Sequence, residues 1–516
     1  MTTNMFVVVA VIVAYLLGMM WIGIRFSKKT DTTDEFYLGG RKLGPLVTAM
    51  SAEASDMSSW LLMGIPGLAY LTGICDPFWT CIGLAVGTYL NWLIVAKRLR
   101  TYSQKINAVT LPEFYAKRYH DDRHLISLIA ALLIIIFFIP YTASGFSACG
   151  KLFSSLFGVN YHTAMIIFAI VIVVYTTFGG FLAASTTDLI QSIIMTLGLI
   201  VILGVGTSMA GGMDKVMENA KSLPGYFSLN HTYNATTGTA VPYNVLTIVS
   251  MMAWGLGYFG MPHVLLRFMG TADANKLSTS RRIATVWVVI SMGVAMVIGI
   301  VGLGATNVGV IPALAGSDSE TIVVRFSSLL ASHGIFPAIV AGLVLAGILA
   351  ATMSTSDSQL LAAASSASEE IMASFFGVKL STRQQLLVAR VTVIAIAVIA
   401  VILASDPNSS VFKVVSFAWA GFGASFGPVT LLALFWKKSN KYGAICGMVA
   451  GGAMVFIWKY AVRPLGGALD IYELLPAFLI AILVNVAVSL LTSKHNMGQT
   501  QQDIEQEFDE VAAMQD

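Results

Sequence analysis

The chain has 516 residues, of which 56% are hydrophobic and 11% charged, and its formal net charge is +3. A soluble globule carries roughly 25% charged and about 45–50% apolar residues, so this composition excludes one. The charge is too small and too dispersed to indicate nucleic acid, and Cys75, Cys81, Cys149 and Cys446 lack metal-ligand spacing.

A bilayer crossing needs roughly 20 apolar residues. Apolar stretches bounded by charge or turn clusters predict thirteen transmembrane helices, near 5–24, 43–70, 77–96, 124–154, 160–178, 182–209, 241–262, 279–304, 334–358, 384–404, 410–435, 441–462 and 471–492. No basic residue precedes the first stretch, whereas Arg25, Lys28 and Lys29 follow it, which predicts a retained span with its N-terminus outside rather than a signal peptide. Thirteen spans then put the C-terminus in the cytoplasm. Under that topology 23 of the 30 Lys and Arg residues, Lys494 among them, lie inside and seven outside, as the positive-inside rule requires. The expected location is the plasma (inner) membrane, with the lipid bilayer as surroundings and no sign of an obligate protein partner.

The second span turns polar after Met50, with Ser51, Glu53, Ser55, Asp56, Ser58, Ser59 and Trp60, and then reads Gly64-Ile65-Pro66-Gly67. Glycine and proline weaken a membrane helix, and the freed backbone groups need partners from protein, water or a ligand. An acid at membrane depth costs about 2.5–3.5 kcal/mol on insertion scales. Asp56 is therefore read either as a cap on the second half-helix or as an ion-binding group; one carboxylate can serve both ends. Glu53, one helical turn before it, is expected either to pair with Lys413 at the start of the eleventh span, or to be protonated, or to face water. Gly83, Gly87, Gly447, Gly451 and Gly452 are read as close-packing positions.

The fourth span offers Tyr141. The sixth carries Asp188 after Ser185, Thr186 and Thr187, near the cytoplasmic side, where it would suit an ion exit path. The polar connection that follows holds two Asn-x-Ser/Thr triplets, at Asn230 and Asn234. In the seventh span, Trp254 to Pro262 contains Gly255, Gly257 and Gly260; their G-x-G-x-x-G spacing lacks a surrounding βαβ unit and is no dinucleotide site. Trp254 and Tyr258 lie four residues apart across this second interruption, and with Trp60 and Tyr141 they form the aromatic surface expected around a substrate.

The ninth span ends in a stripe, residues 351, 354, 355 and 358, at i, i+3, i+4 and i+7 on one helix face, with Asp357 beside it. The hydroxyls of Ser354, Thr355 and Ser358 can bond back to preceding carbonyls. They also suit a hard cation such as Na⁺ when they face the unwound carbonyls of another helix.

Five spans separate the two interrupted helices, which is the pattern of a transporter built from inverted repeats. The predicted division is 1–42 (extra helix and cytoplasmic loop), 43–209 and 241–436 (five-helix repeats), 210–240 (extracellular loop), 437–493 (two further helices) and 494–516. The last segment is read as a solvated acidic tail.

Ser55-Asp56-Met57-Ser58-Ser59-Trp60-Leu61-Leu62-Met63-Gly64, preceded by Tyr37-Leu38-Gly39-Gly40-Arg41, resembles the sodium/solute symporter family. Trp254-Gly255-Leu256-Gly257-Tyr258-Phe259-Gly260 and Trp419-Ala420-Gly421-Phe422-Gly423 extend the likeness over nearly the whole chain, with bacterial sodium/proline symporters the most similar members. The resemblance implies an all-α polytopic fold with a leucine-transporter-like core of five plus five helices. It also implies a main Na⁺ site of the carbonyls of Ala54, Met57 and Ala351 with the hydroxyls of Ser354 and Thr355, supported by Asp56. Ser58, Trp60, Tyr141, Trp254, Tyr258 and Pro262 would surround the substrate, and Asp188, Ser358 and Asp357 would match a second Na⁺ site.

The function this predicts is Na⁺-coupled import of a small zwitterion, L-proline first, by alternating access. Betaine, pantothenate or a sugar is the alternative solute, and a transporter-like sensor the alternative class. An enzyme is not expected, since no histidine or cysteine supplies a nucleophile and base pair.

Overall fold

The computed structural model describes residues 2–27, 33–178, 181–379, 381–493 and 499–514. Lys28, Lys29 and Lys494 of the basic-residue count lie outside them. Among the described residues ten helices are long and apolar enough to cross a membrane, and the pair Val245–Gly260 and Pro262–Met269, bent by 46°, makes an eleventh span. The remaining two of the thirteen expected segments are also helical: Tyr161–Phe178, and the interrupted run Pro45–Ser59, Trp60–Gly64 and Ile65–Thr72. The stretch expected to end near 358 continues as helix to Ser365 and as a wider helical turn to Phe375.

Both interruptions have local causes. Ser58 adopts φ 50°, ψ −169°, a backbone region used almost solely by glycine and costing about 1–3 kcal/mol in other residues. Its hydroxyl accepts the Trp60 N–H at 3.1 Å. In the second break Pro262 forces Met261 into extended backbone (φ −74°, ψ 109°) and then starts the half-helix Pro262–Met269 at its first position. Ahead of it, Ala253–Gly260 is a tight 3₁₀ segment.

Glycines set how closely the helices approach this segment. A Cβ on Gly83 would strike the carbonyl of Met252, one on Gly87 the carbonyl of Gly255, and one on Gly257 the indole of Trp419. The G-x-G-x-x-G spacing therefore records helix crowding. The polar connection after the sixth span forms a helix, Met213–Ser222, and an antiparallel hairpin, His231–Asn234 with Thr239–Pro242, which carries both Asn-x-Ser/Thr asparagines at or beside its first strand.

The C-terminal segment departs from expectation. Helix Gln499–Ala513 buries Ile504, Phe508 and Val511, at i, i+4 and i+7, against the protein. Phe508 lies under the guanidinium groups of Arg98 (4.7 Å) and Arg118 (5.4 Å). Glu510 pairs with Lys105, Glu507 with His120 at 3.4 Å, and Asp509 with Lys437 at 3.4 Å. The apolar stripe and the basic residues beneath it turn an acidic tail into a docked helix.

Candidate functional site

Each break frees backbone carbonyls, and side chains from other helices reach them. In the first, Ser354 Oγ donates to Ala54 O at 2.8 Å and Tyr141 Oη to Asp56 O at 2.8 Å. In the second, Trp419 Nε1 donates to Trp254 O at 2.7 Å and Asn91 Nδ2 to Tyr258 O at 3.0 Å. These four bonds clasp the two interruptions to Leu125–Phe157, Ile335–Ser365, Cys75–Leu90 with its continuation, and Val411–Phe435.

The hydroxyl stripe meets the first break. Ser354 Oγ also lies 3.1 Å from Ala351 O, and Thr355 Oγ1 3.1 Å from the same carbonyl. Four of the five expected ligand groups therefore converge: the carbonyls of Ala54 and Ala351 and the hydroxyls of Ser354 and Thr355. Met57 lies in the same break, where its carbonyl accepts the N–H of Trp60. An all-oxygen set of carbonyls and hydroxyls fits a hard monovalent cation.

A small cleft between the breaks is lined by Asp56, Met57, Trp60, Leu84, Tyr141, Trp254, Val415 and Trp419. Trp60 and Trp254 stack at 5.4 Å, Phe412 packs on both at 5.7 and 5.4 Å, and Tyr472 stacks on Trp254 at 5.2 Å. Tyr258 meets Trp419 edge-on at 5.1 Å. The indole nitrogens of Trp60 and Trp254 are buried without a hydrogen-bond partner, while the Tyr258 hydroxyl and the Asp56 carboxyl face each other. Buried polar groups are normally paired, so the two indole N–H groups are donors left to offer a polar solute. Ser58, Tyr258 and Pro262 are buried at the two breaks and do not line the cleft.

The second expected cation site holds a guanidinium. Arg267 Nη2 lies 3.1 Å from Asp188 Oδ2 and 2.5 Å from Ser358 Oγ, while its Nε donates to Ser51 Oγ at 3.0 Å. Ser51 Oγ donates in turn to Asp188 Oδ2 at 2.6 Å. Asp357 joins the cluster through Ser358 Oγ at 3.3 Å, and Asp188 Oδ1 and Asp357 Oδ2 remain unpaired. Arg267 and His263, neither of them singled out from the sequence as a site residue, are both buried here. The signal was available: Arg267 follows Pro262 by five residues, within the second half-helix.

The Glu53–Lys413 pair does not form. Glu53 Oε1 accepts from Thr88 Oγ1 at 3.0 Å and from Trp92 Nε1 at 2.9 Å, both on the neighbouring span. Lys413 is exposed at the far end of Val411–Phe435. Its neighbour Phe412, together with Val415 and Tyr472, belongs to the aromatic site and carried no sequence signal.

A buried ion pair roofs the site. Lys151 Nζ lies 2.7 Å from Glu320 Oε2, and Glu320 accepts from Ser410 Oγ (2.8 Å) and from the N–H groups of Val411 and Phe412 (3.2 Å each). A carboxylate thus caps the N-terminus of the helix that carries Phe412 and Val415.

The sequence profile described as "Sodium:solute symporter family" matches residues 36–451. The chain belongs to the sodium:solute symporter family. This symporter is 41% identical over 486 residues to the high-affinity proline transporter PutP of Bacillus subtilis (strain 168), covering 94% of this chain and 98% of that protein. It is 40% identical over 504 residues to the sodium/proline symporter of Haemophilus influenzae (strain ATCC 51907 / DSM 11121 / KW20 / Rd), covering 96% of each. Among solved structures it resembles a substrate-bound, outward-open Na⁺-coupled sialic acid symporter, with TM-score 0.77, 21% identity, and 95% of this chain and 98% of that one covered. The nucleobase-cation-symport-1 family transporter Mhp1, closed with bromovinylhydantoin bound, gives TM-score 0.56 at 14% identity, over 92% and 98%. These likenesses show the fold: an all-α polytopic membrane protein with the leucine-transporter-like core that the family resemblance implies. The symporter is a multi-pass Na⁺-coupled carrier of a solute, and it is not an enzyme.

Proposed function

We propose that this symporter imports L-proline together with Na⁺. The observation that carries the reading is the aromatic cleft between the two breaks, directly beside the oxygen cluster of Ala54, Ala351, Ser354 and Thr355. The named relatives at about 40% identity are proline carriers, which supports the same solute. Trp60 and Trp254 supply ring faces for a secondary ammonium, and their indole N–H groups supply donors for a carboxylate. No Lys or Arg lines the cleft, which suits a solute of zero net charge better than an anion.

In this reading Ala54, Met57, Ala351, Ser354 and Thr355 hold the main Na⁺, and Asp56 supports it from the adjacent break. Ser58 shapes the cleft by reversing the backbone, and Pro262 by starting the second half-helix. Tyr141, by holding the Asp56 carbonyl, couples the pocket wall to the ion site. A second Na⁺ at Asp188, Asp357 and Ser358 requires Arg267 to swing away, so that ion and guanidinium alternate. The repeats are 43–209 and 241–436, and the hairpin, the Glu320 roof and the N-terminus face outward.

The test is uptake of radiolabelled proline into proteoliposomes with an imposed Na⁺ gradient and with betaine, pantothenate and glucose as competitors. One Na⁺ moving with a neutral zwitterion carries one charge, worth about 2.3 kcal/mol per 100 mV, or roughly a 40-fold accumulation ratio. Uptake should therefore accelerate under an inside-negative potential. Failure of unlabelled proline to compete, or saturation by betaine alone, would transfer the assignment to another solute.

A further inference from the structure

Lys413, left without Glu53, stands at the mouth of a wide cleft on the flank of the protein. The cleft has a volume of about 520 Å³ and lies between Leu125–Phe157, Val411–Phe435, the end of Thr382–Leu403 and the turn Trp458–Val462. Its walls are apolar, among them Ile139, Pro140, Ala143, Val414, Phe417 and Phe456. The rim residues Ile136, Leu403 and Tyr460 are exposed, so it opens sideways to the bilayer.

Two ammonium groups border this apolar surface. Lys459 Nζ lies 4.3 Å above the Phe417 ring and 3.7 Å from Glu473, and Lys413 is close enough to repel it. Among the described residues the ion pairs at this end join Lys151 to Glu320, Lys459 to Glu473, and Arg463 to Asp470 and Glu473. Lys413 takes part in none of them. An unpaired charge in a membrane segment is costly unless it reaches a headgroup or a counter-ion. An apolar groove topped by two cations offers hydrocarbon contact below and phosphate contact above.

We propose that this cleft binds an anionic phospholipid of the outer leaflet, an acyl chain lying along Pro140, Ala143 and Phe417 and the phosphate between Lys413 and Lys459. The position links lipid to transport. Lys413 lies between Phe412, which packs on Trp60 and Trp254, and Val415, which lines the solute cleft. A lipid seated there braces the outer turn of this helix from the opposite side.

The experiment is native mass spectrometry of the full chain in detergent doped with phosphatidylglycerol, counting retained lipid, with phosphatidylcholine as the uncharged comparison. This readout does not depend on which solute is carried. Wild type and Lys413→Arg should retain phosphatidylglycerol, while Lys413→Gln should retain about fivefold less, the worth of one lysine at an anionic surface. Among the described residues the Lys413 side chain makes no ion pair, so Lys413→Gln remains informative even where adding Lys459→Gln impairs folding. In vesicles of phosphatidylcholine alone, wild-type uptake should be slower than with phosphatidylglycerol added, and Lys413→Gln should lose that difference. Equal phosphatidylglycerol retention by wild type and Lys413→Gln would overturn the proposal. Equal retention of phosphatidylcholine, or displacement of the lipid by inorganic phosphate, would do the same.

Discussion

Arg267 and Asp188 form a buried ion pair, Nη2 to Oδ2 at 3.1 Å, with side chains 1% and 0% exposed. Removing one member of such a pair strands a buried charge, at a cost of about 3–5 kcal/mol, whereas removing both together often costs little. Asp188→Asn and Arg267→Met should each lower the thermal midpoint of the detergent-solubilised protein. The double variant should recover much of that loss while transporting poorly. Additive losses in the double variant would show that the two side chains are independent.

The proposed main cation site gives a sharper separation. Ser354 and Thr355 contribute hydroxyls to the oxygen cluster and line no part of the aromatic cleft. Ser354→Ala or Thr355→Ala should raise the half-activating Na⁺ concentration about tenfold, equivalent to about 1.4 kcal/mol, with less change in rate at saturating Na⁺. Na⁺ dependence unchanged in both variants would remove these hydroxyls from the site.

How much of this was readable beforehand follows from the range of each interaction. The two breaks were legible because proline, glycine and acids interrupt an apolar run locally, and the hydroxyl stripe that carries Ser354 and Thr355 because a helix face has a fixed period; their ligand role came from the family resemblance. Arg267 was not singled out because charge counting assigns a basic residue to one side of the membrane and names no partner; Asp188, 79 residues earlier, holds it buried. Glu53 was matched to Lys413 by opposite charge alone. Its partners, Thr88 and Trp92, are a hydroxyl and an indole 35 and 39 residues away, which no charge pattern reveals. Tyr472 is a tertiary contact with no local signature.

The aromatic cleft is tested by its most connected ring. Trp254 stacks on Trp60 and Tyr472 and packs against Phe412, so Trp254→Ala both opens the cleft and removes the ring face proposed to meet the solute's ammonium. The half-saturating proline concentration should rise roughly 2- to 30-fold, as expected for about 0.5–2 kcal/mol, with a smaller effect on Na⁺ activation. Trp254→Phe keeps a ring but not the N–H, and should fall between the two. Proline affinity intact in Trp254→Ala would leave the ring with packing alone.

The docked C-terminal helix should respond to salt. Its ion pairs, Glu510 with Lys105 and Asp509 with Lys437, lie at the surface beside the Glu507–His120 contact, where screening acts within about 3 Å at 1 M salt against about 10 Å at 0.1 M. Beneath them Phe508 and Val511 are buried and do not feel salt directly. Amide exchange across 499–513 should therefore quicken between about 0.1 and 1 M salt, and the salt effect should vanish when Glu507, Asp509 and Glu510 are all changed to Gln. Phe508→Ala should release the helix at either salt concentration. Acid gives a second handle, because the Lys105 hydrogen bond holds the Glu510 carboxyl below its usual range. That contribution is fully present above the ordinary Glu pKa of about 4.3 and is lost as pH falls through the depressed value. Exchange that is slow and unchanged at all salt concentrations would mean that the apolar stripe alone fixes the helix and that the acidic residues only keep its outer face soluble.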